Sequence, residues 1–241
     1  MRTKVTARTK VKTEGVNIIK VHVRPKDWTY GNVYGIRGQF TGELPVMMLM
    51  FGDGRKGDDI GFYAWDLDAR HEYPKDPSQS YIVELTLSPD NIIDYIEPCC
   101  GDCEYEFVDL SGAPDIVSAY IKRCKGVLLK NRRMEKLELN IEDFPNVEFF
   151  RCFNLRELTF SGGDAVKELD LTNNCRLERL VIKGYSSSGL KNIKLSNNTP
   201  LKYVDITGAN LHPSCLDAIR RIVERNNGVI IDKYKSQSDE E

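Results

Sequence analysis

Along the second half of the chain, apolar residues recur at relative positions 0, 3 and 5 of short units. The frame is read at Met134/Leu137/Leu139, Val147/Phe150/Cys152, Leu155/Leu158/Phe160 and Val166/Leu169/Leu171. It continues at Leu177/Leu180/Ile182, Leu190/Ile193/Leu195 and Leu201/Val204/Ile206, with starts 13, 8, 11, 11, 13 and 11 residues apart. Three such positions cannot all face inward from one flat strand, because side chains alternate there. A short strand over positions 3 to 5, with position 0 turned inward at a corner, resolves the conflict. Stacked units then share an apolar column that none could bury alone.

The units alternate in kind. Those starting at Val166 and Leu190 end in Asn173-Asn174 and Asn197-Asn198, whereas those starting at Leu155, Leu177 and Leu201 end in Gly162, Gly184 and Gly208. Asn can hydrogen-bond backbone groups in a turn, and Gly permits positive φ. A full turn of chain is therefore two units long: 22 residues from Leu155 to Leu177, then 24 to Leu201. The frame, the spacing and the Asn positions over residues 134–210 resemble bacterial leucine-rich repeats in which each coil gives one strand to each of two parallel sheets. The resemblance implies a short leucine-rich-repeat-like β-solenoid and a binding role rather than catalysis.

Past the last unit, Ser214-Cys-Leu-Asp217 reads as a capping-box-like helix start. Leu216, Ile219, Ile222 and Val223 recur at helical spacing, and Asn226-Asn-Gly228 ends the pattern, predicting a capping helix over 214–227. Val229–Asp232 reads as a last strand and residues 233–241 as a tail. Between the inward strand positions stand Glu138, Arg151, Thr159, Asp170, Val181, Lys194 and Asp205, which face solvent. The pattern makes Asp170 and Lys194 neighbours in one sheet, and Glu157 and Arg179 neighbours in the other. Such a face reads either as cross-strand charge pairing in solvent or as a partner surface. On the second reading the binding residues are Phe149, Arg151, Arg179, Tyr185, Lys194 and Tyr203, with the three aromatics as anchors.

The first half reads differently. Candidate strands Val16–Val23, Val33–Phe40, Val46–Phe51, Gly61–Leu67, Tyr81–Leu87, Ile92–Ile96 and Tyr105–Leu110 are parted by Gly- and Pro-rich turns. Residues 113–125 predict a helix with Pro114 in its first turn. The resulting organisation is a basic arm (1–13), a β-rich or α+β domain (14–130), the repeat region with its capping helix (131–232), and the tail. The fold class is mainly β.

Charge changes this picture only by exclusion. The 34 basic and 36 acidic residues give a net −2, so nucleic acid is not expected as a partner of the whole chain. The basic residues Arg2, Lys4, Arg8, Lys10 and Lys12 leave a third, nucleic-acid reading for the arm alone. No run approaches the ~20 apolar residues of a membrane span, and no apolar core follows the arm as in a secretory signal. Seven cysteines, an odd number, are expected as reduced thiols in the cytoplasm.

Four features of the first half carry candidate chemistry. The loop Phe51-Gly-Asp-Gly-Arg-Lys-Gly-Asp-Asp59 fits neither a phosphate loop nor an EF-hand and reads as a hairpin connection. Cys99, Cys100 and Cys103 include the two-residue gap of a zinc knuckle without its second pair, so no metal is expected. Asp66 and Asp68 share one side of a strand or its exit. Gly61-Phe-Tyr-Ala-Trp-Asp-Leu-Asp-Ala-Arg70 and Tyr81-Ile-Val-Glu-Leu85 resemble the middle of small ADP-ribosyltransferase-like domains. That resemblance implies His22 at the nicotinamide ribose, Tyr63 stacked on nicotinamide, and Glu104 or Glu106 as the catalytic acid. Val23-Arg-Pro25 stands where that family has small polar residues. The expectation is a non-enzymatic interaction or scaffold protein without cofactor, binding a protein rather than a small molecule. It includes a fixed place in a viral or bacterial particle. The alternative is an NAD-consuming transferase with the repeats as substrate adaptor.

Overall fold

The computed structural model describes residues 17–24, 33–41, 48–51, 66–72, 81–87, 92–98, 104–141, 152–162, 164–183, 189–207 and 209–232. Among them the chain is mainly β with one helix. The first seven strands are β1 (Asn17–Arg24), β2 (Val33–Thr41), β3 (Met48–Met50), β4 (Asp66–Glu72), β5 (Tyr81–Leu87), β6 (Ile92–Pro98) and β7 (Glu104–Gly112). Period-two burial is seen in β1, which buries Ile19, Val21 and Val23 and leaves Ile18, Lys20 and His22 half-buried between them. Antiparallel pairing puts Val21 opposite Val83 of β5 on one side and Val108 of β7 on the other. β3 extends β5, and a second antiparallel run is ordered β4-β2-β6. Of the strand expected over residues 61–67, residues 61–65 lie outside the described residues, and β4 runs on past Leu67 to Glu72. It pairs with β2 in the register Gln39↔Asp66 to Val33↔Glu72.

The helix expected over residues 113–125 is not formed. In its place Ala113–Val117 turns and β8 (Ser118–Cys124) follows, burying Ala119, Ile121 and Cys124. The cause lies in the carbonyls that a helix would need. Asn131 donates its side-chain amide to the carbonyls of both Ala113 and Ile116, the latter at 2.8 Å, and its Oδ1 accepts from the Arg133 and Met134 amides. Asn17 Oδ1 takes the Asp115 amide at 3.0 Å. With those groups engaged, a strand partner outweighs helix propensity. Ile116/Ala119/Ile121 is then one more instance of the 0-3-5 frame.

The ladder continues through β10 (Lys136–Ile141), β11 (Glu157–Gly162), β13 (Arg179–Ile182), β15 (Tyr203–Asp205) and β16 (Val229–Ile231). Two further strands, β12 (Glu168–Leu171) and β14 (Asn192–Leu195), form a separate parallel pair, and the short β9 (Val127–Leu128) joins β7. Equivalent positions stack: Ala119, Leu137, Leu158, Leu180 and Val204 align across five neighbouring parallel strands. The residue after each position 0 forms a vertical chain of backbone bonds. Glu135 N donates to Val117 O, Arg156 to Glu135, Glu178 to Arg156 and Lys202 to Glu178, each at 2.8 Å. Met134, Leu155, Leu177 and Leu201 are fully buried at position 0. Between turns, Asn174 Nδ2 donates to Cys152 O (2.9 Å) and Asn226 Nδ2 to Thr199 O (3.0 Å). Asn198 stays exposed, and buried Thr199 takes the inner place.

The sheet runs on through residue 130, since β8 pairs with β10 on one side and with β6 and β7 on the other. One hydrophobic cluster extends from Ile19 to Val223. The helix α1 (Pro213–Arg225) starts one residue earlier than expected, and its N-cap is His212, with no side-chain cap bond, rather than Ser214. Pro213 suits the first helical position because it lacks an N–H. The His212 amide is drawn to Lys191 O at 2.9 Å, one step beyond the Lys191 N to Lys167 O bond at the same distance. The helix end thus continues the second sheet. Asn227, at φ 52°, reverses the chain into β16.

Candidate binding surface

The outward face of β8, β10, β11, β13 and β15 carries two columns of side chains. One column is Tyr120, Glu138, Thr159, Val181 and Asp205 in register. Two residues on along each strand stand Lys122, Asn140, Ser161, Lys183 and Thr207. Between the columns lies a trough of about 530 Å³, lined among others by Tyr120, Glu138, Ser161, Val181, Lys183 and Asp205. Four strand spacings of ~4.8 Å separate β8 from β15, so the trough is ~19 Å long. Small Ser161 is among its lining residues, and Lys183 Nζ reaches across β11 to Glu138 Oε1 at 2.5 Å.

The Tyr120 end is a closed network. Lys122 Nζ lies 4.3 Å from the Tyr95 ring centroid, 5.0 Å from that of Tyr120 and 3.5 Å from Glu97. Burial, and then the Glu138 carboxylate that accepts its hydrogen bond, hold the Tyr120 hydroxyl above the usual phenol value. Elsewhere the face neutralises itself step by step. Lys136 pairs with Glu157 at 3.7 Å, and Glu178 receives Arg156 and Lys202 at 2.9 Å each. The neighbouring Arg179 lies 3.9 Å over the Tyr203 ring. On the other sheet Lys194 pairs with Glu168 at 2.5 Å, and that contact with the Asn192 amide lowers the Glu168 carboxyl. Asp170 is lowered by the Thr172 hydroxyl and amide, and it stands in register with Lys194.

No family model matches the chain, and no curated protein or solved structure matches it either. Placement of the candidate residues therefore rests on geometry. Arg179 and Tyr203 stand together on the trough-bearing face, whereas Lys194 belongs to the β12–β14 pair. Phe149, Arg151 and Tyr185 lie outside the described residues, as do Tyr63, the loop 52–59 and Cys99, Cys100 and Cys103. His22 is half-buried with its ring edge-on to Phe107, centroids 5.6 Å apart. Glu104 faces Arg24 in the β1–β7 register and Glu106 falls in the bulge beside it, their side chains being outside the described set. Among the described residues, no three His, Cys, Asp or Glu side chains gather as a metal site. No helix among them is long and apolar enough to cross a membrane.

Of the trough residues, Glu138, Val181 and Asp205 follow from the frame. Tyr120 was hidden by the helix expectation. Its signal was Ile116/Ala119/Ile121, which keeps the frame 18 residues before Met134.

Proposed function

We propose that the parallel ladder is a leucine-rich-repeat-like solenoid and that its trough-bearing face docks a protein partner, the chain serving as a scaffold without catalytic chemistry. The supporting observation is the trough itself: five parallel strands present a continuous, shaped surface on which Glu138 and Glu157 are paired with lysines, and extended surfaces of this kind suit macromolecular ligands. Arg179 and Tyr203 border it as a rigid cation–aromatic pair, a residue combination enriched in binding hot spots. Cys124, Cys152 and Cys215 are buried, and burial pushes the Cys152 thiol up to about 11, which leaves it a poor nucleophile and supports a role without thiol chemistry.

Crosslinking capture from the native source tests this reading. Val181→Arg, in mid-trough, is expected to lose the partner that the wild-type chain captures, while Glu168→Gln on the other sheet keeps it. Identical capture by Val181→Arg, with the fold intact, sinks the proposal.

A further inference from the structure

The acids on the trough-bearing face differ in one respect. Glu97 has Lys122, Glu138 has Lys183 and Glu157 has Lys136. Asp205 has no cationic partner among the described residues. Its Oδ1 accepts the Thr207 amide at 3.1 Å and hydroxyl at 2.8 Å. In register, its neighbours are Val181 on one side and Ile231 on the other. Val181 is half-buried and Ile231 is 39% exposed. The row therefore reads apolar, acid, apolar, at the open end of a trough whose other charges cancel.

We propose that this end of the trough seats a lysine or arginine side chain from an extended peptide segment of the partner. The inference rests on the reading of this face as a docking surface. A long cationic side chain has an aliphatic stem and a charged head, so it covers Val181 and Ile231 while its head meets the Asp205 carboxylate. A carboxylate-bearing side chain is repelled there, and a purely apolar one leaves the half-buried acid desolvated and unpaired. The trough, ~19 Å long, matches five to six residues of extended chain at ~3.3 Å each.

The probes are acetyl-Ser-Val-Lys-Val-Ser-amide and two variants with norleucine or glutamate in place of lysine. They are titrated to millimolar concentration into the full-length, isotope-labelled chain and followed by backbone amide shifts. The lysine peptide is expected to move the amides of Val181, Asp205 and Thr207 saturably. The norleucine peptide binds about five-fold more weakly, the scale of a partly screened ion pair. Asp205→Asn, which keeps an acceptor for Thr207, is expected to bring the two peptides level. Equal binding of the lysine and norleucine peptides to the wild-type chain overturns the cation assignment. If Val181→Arg then abolishes both, the docking face survives that result. Absence of any shift at these amides also overturns the assignment, and the docking face is then judged by the capture experiment alone.

Discussion

Strands in the two halves find their neighbours in different ways. In the N-terminal half β1 lies between β5 and β7, both far along the chain, and pairs antiparallel with register breaks at Ile18/Lys20 and His22/Val23. In the ladder, β11, β13, β15 and β16 each pair parallel with the strand one turn of chain earlier and show no register break. An antiparallel core closes only when distant segments meet. On the proposed solenoid reading, the ladder closes one turn at a time, each turn burying the apolar face of the last. Between these regimes stands β8, with β10 on one side and β6 and β7 on the other. Damage to the ladder should therefore spread along it and stop near β8.

Leu180→Asp is the strongest way to break this contrast. Leu180 is fully buried between Leu158 and Val204, and an unpaired carboxylate there costs at least ~4 kcal/mol. Hydrogen exchange should show β10 to β16 losing protection while β1 and β5, closed on Ile19, Val21 and Leu85, keep theirs. Loss of protection throughout would make the halves one cooperative unit and end the comparison.

Asn131→Ala probes the junction. It strips the Ala113 and Ile116 carbonyls and the Arg133 and Met134 amides of a shared partner, at a cost of about 2–3 kcal/mol. Because β8 serves both halves, the urea midpoint should fall whether it is followed by exchange in β1 or in β11. A fall confined to β11 would place the junction elsewhere. At the far end, Arg220 Nη2 holds the Asp232 carboxylate at 2.9 Å, and that carboxylate is 3% exposed. Arg220→Ala should cost about 2 kcal/mol, since the guanidinium is itself partly solvated. The loss should appear as fraying of α1 and β16 with β1 unaffected; a shift shared by β1 would contradict stepwise closure.

The same contrast governs what could be read in advance. In the ladder each residue's burial follows from a frame a few residues long, so Leu158, Leu169, Leu180 and Val204 were legible, as were the neighbours Glu157/Arg179 and Asp170/Lys194. Strands such as β1, β2, β5 and β6 were legible as segments parted by Gly- and Pro-rich turns, whereas β4 runs on to Glu72, past the expected end at Leu67. Their partners were not legible, because nothing local to β1 specifies Val83 and Val108 as its neighbours. Residues 113–125 failed for a physical reason. Their apolar spacing fits a helix, and the groups that take their backbone away, Asn17, Asn131 and the edge of β10, all lie outside the segment. The trough was partly legible: Glu138, Thr159, Val181 and Asp205 followed from the frame, but Tyr120 and the second column did not, and the reach of Lys183 across β11 to Glu138 depends on a partner 45 residues away.

The smallest effect concerns the charges that climb the ladder. Glu178 bridges Arg156 and Lys202, one turn away on either side, and its carboxyl is lowered chiefly by the hydrogen bond from Lys202. A lowered carboxyl stabilises the fold above the unfolded value of ~4.3, and that contribution disappears as pH falls through the lower folded value. The wild-type urea midpoint should therefore decline as pH drops from about 5 to about 3. Glu178→Gln should decline less over the same range, the difference staying below ~1 kcal/mol for so exposed a bridge. High salt should shrink it further. Equal slopes in the two proteins would mean that the column carries no stability, leaving the apolar frame and the backbone chain from Val117 to Lys202 to hold the turns together.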